Sequence, residues 1–376
     1  NGSVAIETNN YYYTGGLFGR VDNGQINDAW VINNPVSGHY VVGGVVGQSQ
    51  AVSDNIHNVS STVTARGNHY TGGLIGYWLY ASTLSNSDSS GNVVSDQQRV
   101  GGLVGDAYAT SSISNSFATG NVTGSVYVGG IVGVSNSPSL SNVYYASGTI
   151  TGTSQAGGFI GHLSNGVTIS NSYVGSGVSI SGGDNTGGLI GWMNAGTTTI
   201  TGSHVSAAIS ATGNSLGGLI GGANSGAISV SSSYFNGSGV TGRLYVGGMV
   251  GNSGNTTLSV TNSYVDTPAV TGSGERVGGI VGSAGYVVSI TDSYVRSGRV
   301  AGTSTVGGLI GWGEGTASMT RTHVDLTQSG TTGLVGDSTV GGLIGTMRSG
   351  GRVVDSYFSG LITVNQSQTY GGLIAY

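Results

Sequence analysis

Apolar residues recur along this 376-residue chain at near-constant intervals, and each time they follow a pair of glycines. The recurring segment reads V-G-G-L-I-G with small variations, and successive copies lie 28 to 31 residues apart except for one interval of 34. A period of this length indicates a repeat architecture in which each repeat packs on its neighbours. The first glycine of each of the thirteen copies is Gly15, Gly43, Gly72, Gly101, Gly129, Gly157, Gly187, Gly217, Gly247, Gly278, Gly307, Gly341 and Gly371.

Each repeat contains two further strand-like segments, I-S-N-S-Y (as at 169–173) and V-T-G (as at 270–272), separated by Gly, Ser and Asn. Glycine occupies 74 positions, too many for an amphipathic helix to persist. A propeller blade needs a longer unit of about 40–45 residues. We therefore predict an all-β, right-handed parallel β-helix (β-solenoid) with three short strands per turn, about 29 residues per turn and about 12–13 turns, forming one domain over residues 1–376.

Stacked turns place equivalent positions of successive repeats above one another, and we call each such set a column. The last position of I-S-N-S-Y begins with Trp30 and predicts an aromatic ladder, interrupted by His204 and His323. Stabilisation of the stack is the favoured interpretation of this ladder, with sugar stacking as the alternative. Its remaining members are Phe117, Tyr144, Tyr173, Tyr234, Tyr264, Tyr294 and Tyr357.

Two residues before the ladder lies a column rich in Asn and Asp, which includes Asp28, Asp54 and Asn86. These residue types tolerate the left-handed backbone conformation and suit tight bends. We interpret this column as structural, in preference to a line of metal ligands.

The two residues that follow each glycine pair are both apolar, as in Leu103 and Val104. Neighbours in a straight strand face opposite sides, so one of the two columns would form an exposed apolar stripe available for assembly. A bend at the glycines would instead turn both side chains inward. We favour the bend.

The long interval between Gly307 and Gly341 contains a second G-L-V-G at 333–336. Leu334 lies seven residues before Gly341, as Val122 lies seven before Gly129, so Leu334 is predicted to fill the V-T-G position. The extra residues are then expected to protrude as a loop between His323 and Leu334.

Charged residues make up only 7% of the chain, Lys and Cys are absent, and the formal net charge is −5. The absence of Cys excludes disulfides and thiol chemistry, and the low charge predicts no nucleic-acid binding. No apolar run in the sequence is long enough to span a membrane. With only three Glu and scattered Asp, we predict no catalytic residue, no metal ligand and no cofactor.

Asp266, Arg296 and Asp325 fall in one column, which we interpret as a surface salt-bridge ladder, with a carbohydrate-contacting patch as the alternative.

The G-G-L-I-G repeats resemble the GLUG motif along essentially the whole chain. The resemblance implies a region of a large bacterial secreted or surface protein, similar to filamentous-haemagglutinin-like adhesins, and it implies no catalytic residue here. We therefore expect an extracellular or cell-surface location and a structural, adhesive rod that is not an enzyme. The alternatives are a self-assembling extracellular filament subunit, relevant to biofilm, and a carbohydrate-binding or polysaccharide-acting β-helix.

The expected partners are further repeats of a larger chain or other copies of the same chain, with host or matrix polysaccharide as a further candidate. Residues 1–14 contain no obvious amphipathic cap, and residues 371–376 remain in repeat register. Because open solenoid ends expose unpaired backbone groups, we expect the rod to continue, covalently or by head-to-tail stacking.

Overall fold

Parallel strands account for all regular secondary structure in the described part of the chain, which covers residues 6–7, 12–32, 34–50, 55–109, 111–327, 333–366 and 369–375 of a computed structural model. Within these residues there is no helix, and so none that could cross a membrane. The strands stack in about twelve turns, which confirms the predicted all-β parallel solenoid. The right-handed winding remains a prediction from the general preference for right-handed crossovers.

The strands belong to three sheets, which we call sheets I, II and III. Sheet I is built from the residues that lead into each glycine pair. Its strands are Tyr13–Gly15, Val41–Gly43, Tyr70–Gly72, Gln98–Gly101, Val126–Gly129, Ser154–Gly157, Asp184–Gly187, Leu216–Gly217, Val246–Gly247, Val277–Gly278, Thr305–Gly307, Thr339–Gly341 and Thr369–Gly371.

Sheet II begins directly after the bend that follows each glycine pair. Its strands are Phe18–Val21, Val46–Ser49, Ile75–Trp78, Val104–Ala107, Val132–Ser135, Ile160–Leu163, Ile190–Met193, Ile220–Ala223, Val250–Asn252, Val281–Ala284, Ile310–Gly313 and Ile344–Met347.

Sheet III contains both I-S-N-S-Y and V-T-G, so the chain visits three sheets per turn but divides its segments differently from the prediction. V-G-G-L-I-G is split between sheets I and II, while sheet III commonly takes two or three strands per turn. Its strands are Ile6–Glu7, Ile26–Val31, Val36–Ser37, Asn55–Ser61, Ala65–Gly67, Thr83–Ser85, Asp88–Ser89, Val93–Ser95, Ser112–Ser114, Phe117–Ala118, Val122–Thr123, Ser139–Ser141, Tyr144–Thr151, Thr168–Ser170, Tyr173–Gly182, Thr197–Thr201, His204–Val205, Ala208–Ala211, Ser225–Ser231, Tyr234–Phe235, Gly239–Gly242, Asn255–Thr261, Tyr264–Gly272, Val288–Thr291, Tyr294–Ala301, Ala317–Thr320, His323–Asp325, Leu334–Gly336, Gly351–Val354, Tyr357–Ser359 and Ile362–Val364.

The glycine pair forms a tight corner between sheets I and II. A Cβ on Gly101 would lie 1.9 Å from the carbonyl oxygen of Val104, and one on Gly102 would lie 2.0 Å from that of Gly130 in the next turn. Real Cβ atoms cannot approach backbone this closely, so both positions require glycine. Leu103 and Val104 are both fully buried beyond the corner, which confirms the predicted bend and places both apolar columns in the core through the interior turns.

The Asn/Asp column forms a second corner, within sheet III. Its members adopt the left-handed conformation with φ near 50°, for example Asn115 at 47° and Asn171 at 49°. The prediction that Asp54 belongs to this column is wrong, because Asn58 occupies the position opposite Asp28; Asp54 itself lies outside the described residues. The amide of Asn58 donates to the carboxylate of Asp28, so the column is also linked from turn to turn.

A buried serine follows the residue with the left-handed backbone conformation. Its hydroxyl takes the place of a backbone acceptor in the hydrogen bonds between turns at this corner. The hydroxyl of Ser203 accepts a hydrogen bond from the backbone N–H of Ser172 (3.2 Å) and donates to the carbonyl of Thr201 (3.0 Å). In the next turn, the hydroxyl of Ser233 accepts from the N–H of Ser203. The second Ser of I-S-N-S-Y therefore supplies an acceptor that the bent backbone cannot provide.

The irregular turn keeps its register despite the long interval. Leu334 pairs with Val300, so it occupies the V-T-G position as predicted. Part of the expected protruding loop, residues 328–332, lies outside the described residues. One apolar core continues through this turn and extends from Ile26 to Met347.

We predict that Ser203→Ala lowers the free energy of unfolding by about 1–3 kcal/mol, because it leaves the buried N–H of Ser172 without its acceptor. Ser179→Ala, at an exposed position of sheet III, is the matched control and should have little effect. Denaturant unfolding of the two variants measures the difference. Equal stabilities would contradict the role assigned to the serine.

Candidate functional site

The predicted ladder residues form an unbroken stack of rings from Phe117 to Tyr357, with His204 and His323 included. Neighbouring ring centroids lie between 4.6 and 5.3 Å apart, with interplanar angles of 3° to 9°. This spacing matches the separation of adjacent strands, about 4.8 Å, so the backbone register sets the face-to-face arrangement. Trp30 lies in the same column but is separated from Phe117 by Ser60 and Asp88.

The internal rings of this ladder offer no free face to a ligand. Each has both faces covered by its neighbours in the stack, as Tyr234 is by His204 and Tyr264. Burial lowers the pKa of His204, which favours its neutral form in the stack. This geometry supports a stabilising role and leaves only ring edges for a sugar.

Asp266, Arg296 and Asp325 occupy successive turns in register on sheet III. The Arg296 guanidinium forms an ion pair with Asp266. Asp325 instead accepts hydrogen bonds from the backbone N–H (3.0 Å) and hydroxyl (2.6 Å) of Thr327, which lower the pKa of its carboxyl. The structure therefore brings Asp266 and Arg296 together, whereas Asp325 is hydrogen-bonded to Thr327 two residues further along its own turn.

A concave groove follows the outer side of the glycine-pair corner. It is bordered by two columns, one in sheet I two residues before the first glycine and one in sheet II five residues after it. In the described turns the two bordering residues lie seven positions apart, and in several turns they contact each other across the corner, as Tyr70 and Tyr77 do with ring centroids 5.1 Å apart. We call this surface the corner groove.

Arg99 and Asp106 form an ion pair across the corner groove. Asp106 is almost completely buried, whereas the Arg99 side chain keeps 30% of its surface exposed. Burial raises the pKa of Asp106 to about 6 even though Arg99 acts in the opposite direction. Burial alone would lower the pKa of Arg99, but Asp106 raises it, so the guanidinium remains charged. Its face also lies 4.9 Å from the centre of the Tyr70 ring.

Gln155 and His162 bridge the groove two turns further along. Nδ1 of His162 donates to Oε1 of Gln155 (2.7 Å), and the ring packs edge-on against Tyr127 at 5.0 Å. Burial lowers the pKa of His162, with Arg99 contributing in the same direction. The imidazole is therefore neutral at pH 7, which leaves Nε2 as its unprotonated nitrogen.

A second concentration of cation–aromatic contacts lies near the other end of the groove. The Arg276 guanidinium lies 4.6 Å from the Trp312 ring and 5.2 Å from the Tyr245 ring, and that of Arg348 lies 4.9 Å from Trp312. These groups cover one another. The contacts bind neighbouring turns together.

Several groove residues adopt a backbone conformation that is costly for side chains other than glycine. Positive φ angles occur at seven successive turns, including Arg99 (63°), Tyr127 (60°) and Arg276 (62°). Such conformations cost about 1–3 kcal/mol each and tend to cluster at functional sites. The remaining members are Gln155, Asn185, Ser215 and Tyr245.

Sequence reasoning missed the corner groove because its bordering columns differ from turn to turn, unlike those of the core and ladder. The available signal was the variable position after G-G-L-I-G, which holds Asp106, Val134, His162 and Trp192 in successive repeats. Within the described ranges, no three His, Asp or Glu side chains lie close enough together to hold a metal ion.

Among known protein families, the model of the GLUG motif matches residues 96–123. These residues run from the end of one V-T-G segment through a complete glycine-pair corner to the next, and they include Arg99 and Asp106. No curated protein and no solved structure matches the chain.

We predict that Arg296→Gln has no measurable effect on the melting temperature, because the ion pair with Asp266 is exposed to solvent. Thermal unfolding followed by circular dichroism tests this. A clear fall in melting temperature would show that the charged column contributes to the stack beyond an ordinary surface pair.

Asp106 should give the solenoid a distinct pH dependence. Its pKa of about 6 in the folded protein lies above the ordinary value of 3.8, so the folded state retains the proton more tightly than the unfolded state. The corresponding stabilisation is complete below about pH 4 and is lost as the pH rises through 6, at about 1.4 kcal/mol per pKa unit.

Asp106→Asn removes this titration. The stability of the variant relative to the unsubstituted protein should therefore rise between pH 4 and pH 7. Denaturant unfolding of both proteins across this range measures the difference, and parallel pH profiles would contradict the assignment.

Proposed function

The chain carries the GLUG motif, and on that premise we propose that it is a structural and adhesive rod of a bacterial extracellular or cell-surface protein. The observation that carries the proposal is the continuity of the stack, since one apolar core extends from Ile26 to Met347. A solenoid of this kind adds length by adding turns, at about 4.8 Å per turn. About twelve turns give a rod on the order of 60 Å long.

The turn-to-turn contacts support a role as a stiff spacer. Sheets I and II hold their register through nearly every turn, and the ring stack from Phe117 to Tyr357 adds a further continuous contact along sheet III. Even the irregular turn preserves the pairing of Val300 with Leu334. A rod with these contacts would hold an attached module at a fixed distance from its anchor.

The extracellular location is supported by the resemblance of the repeats to those of large bacterial secreted and surface proteins. The partners we propose are further repeats or copies of the same chain along the rod axis, and host or matrix polysaccharide along its sides. Neutral polar side chains supply most of the polar surface, since charged residues make up only 7% of the chain.

The proposal includes no catalytic step. In its support, Glu275 and Glu314 are exposed residues on different turns, and the buried Asp106 is paired with Arg99. Glycosidic hydrolysis would call for two carboxyl groups about 5–9.5 Å apart with different protonation states.

The spacer role predicts that whole turns can be removed. Deletion of residues 187–216 joins Thr186 to Gly217 and removes one repeat in register. The shortened chain should fold and lose about 4.8 Å of length, and deletion of 187–246 should lose about twice that. With the chain anchored at one end on a bacterial surface and labelled at the other, fluorescence energy transfer to a membrane dye measures the height of the label.

Deletion of 187–201 is the control, because it removes half a repeat and breaks the register. This variant should not fold. A label height that does not change when one or two whole turns are removed from a folded chain would overturn the spacer role.

A further inference from the structure

The turn of the corner groove that is bordered by Tyr127 and Val134 is left unbridged. Val134 lies in register between Asp106 and His162 on sheet II, and its short apolar side chain does not span the groove. The adjacent turns are bridged by Arg99 with Asp106 and by Gln155 with His162. The gap is a cavity of about 280 Å³ that opens to solvent.

The cavity combines an apolar floor with polar and aromatic walls. Val134 and Ala107 supply apolar surface, and Tyr127 stands on the sheet I side. On the opposite side, Tyr108 is 62% exposed and lies near the mouth of the cavity. Exposed aromatic rings of this kind provide flat apolar surfaces at low entropic cost.

Hydrogen-bonding groups surround this apolar surface. The Arg99 guanidinium, the His162 imidazole and the side chains of Asn136 and Ser164 all line the cavity. Arg99 Nε is buried and has no hydrogen-bond partner within the described ranges, so the guanidinium is not fully satisfied by Asp106. Apolar faces together with several donors and acceptors match a polyhydroxylated ring, which has both an apolar face and hydroxyl groups at its edge.

The charge and the volume of the cavity restrict the class of ligand further. Arg99 and Asp106 cancel formally, and His162 is neutral at pH 7, so the cavity carries no net charge to attract an anion. Its volume of about 280 Å³ lies just below the usual range for ligand pockets, about 300–1,000 Å³, which favours a ligand no larger than one sugar ring. Because bridged turns close the groove on both sides, an extended chain cannot pass through, and a terminal unit fits better than an internal one.

We propose that this cavity binds the terminal, uncharged hexose unit of a glycan. Asp106 acts as a positioning residue that holds the Arg99 guanidinium at the cavity wall, while Tyr108 and Tyr127 offer ring surface to the sugar. The lining side chains lie on or beside rigid strands of sheets I and II, so the site is preorganised. The proposal rests on the adhesive part of the proposed function, contact with polysaccharide along the sides of the rod, and is independent of the spacer role, since a rod of any length could carry the site.

The test fills the cavity without touching the core. Val134→Trp introduces a residue that the same column already holds at Trp192 and Trp312. Thr346→Trp is the matched control, because it places the same residue in the same column seven turns away. Circular dichroism and thermal unfolding establish that each variant is folded.

Saturation-transfer NMR with glucose, galactose, mannose and N-acetylglucosamine measures binding, and glucuronate serves as the anionic probe. The unsubstituted protein and Thr346→Trp should show transfer to at least one neutral sugar, with a Kd in the millimolar range typical of a single small ligand. Val134→Trp should weaken that binding at least tenfold.

Three results would overturn the proposal: no transfer to any neutral sugar from the folded protein, equal binding by Val134→Trp, or transfer to glucuronate alone. If Val134→Trp does not fold, Tyr108→Ala replaces it, with Tyr286→Ala as its control because Tyr286 is an exposed tyrosine on a distant turn. Tyr108→Ala should weaken binding at least threefold while Tyr286→Ala leaves it unchanged, and equal affinities would again overturn the proposal.

Discussion

The close approach of backbone at the glycine pair is the constraint on which the rest of this structure depends. The first glycine packs on the carbonyl three residues later, and the second packs on the equivalent glycine of the next turn, with no room for a Cβ on either. The resulting corner turns two successive apolar side chains inward, so one short segment supplies two core columns. The same bend is concave on its outer side, where the residues that flank it in sheets I and II face each other. Core and groove are therefore two consequences of one corner.

Much of the fold was predictable because every position that depends on the corner must be filled alike in every turn. The glycine pairs give the period, and the apolar pairs and the ladder follow from stacking equivalent residues. The spacing in the sequence also places Leu334 in the correct column, although this interval is 34 residues long. Leu334 precedes Gly341 by seven residues, as in a regular turn. The exact position of Asn58 was harder to predict, because Asp54 is also a plausible bend residue and only the pairing of Asp28 distinguishes the two.

The corner groove could not be predicted in the same way. Arg99 and Asp106 lie seven residues apart on two different sheets, and in a single strand positions with that separation would face opposite sides. Their proximity follows from the angle of the corner, which the sequence indicates only as a requirement for glycine. The sheet II column of the groove also changes its residue from every turn to the next, so comparing repeats with one another finds no pattern in it.

Repeated columns stabilise the stack of turns, whereas varied columns are the ones that can form a binding site. A column repeated over many successive turns, such as the ring stack from Phe117 to Tyr357, is satisfied by its own neighbours and has little left to offer a ligand. A varied column has no such repeated partner. Its side chains bridge the groove, as Gln155 and His162 do, contact an unlike residue of the adjacent turn, as Arg276 and Trp312 do, or leave the groove open, as Val134 does. Because the floor of the groove is held by the glycine corner and not by these side chains, a single substitution can open or close a cavity without disturbing the core. A solenoid built in this way can therefore acquire a local binding site on one turn while every other turn continues to serve the rod.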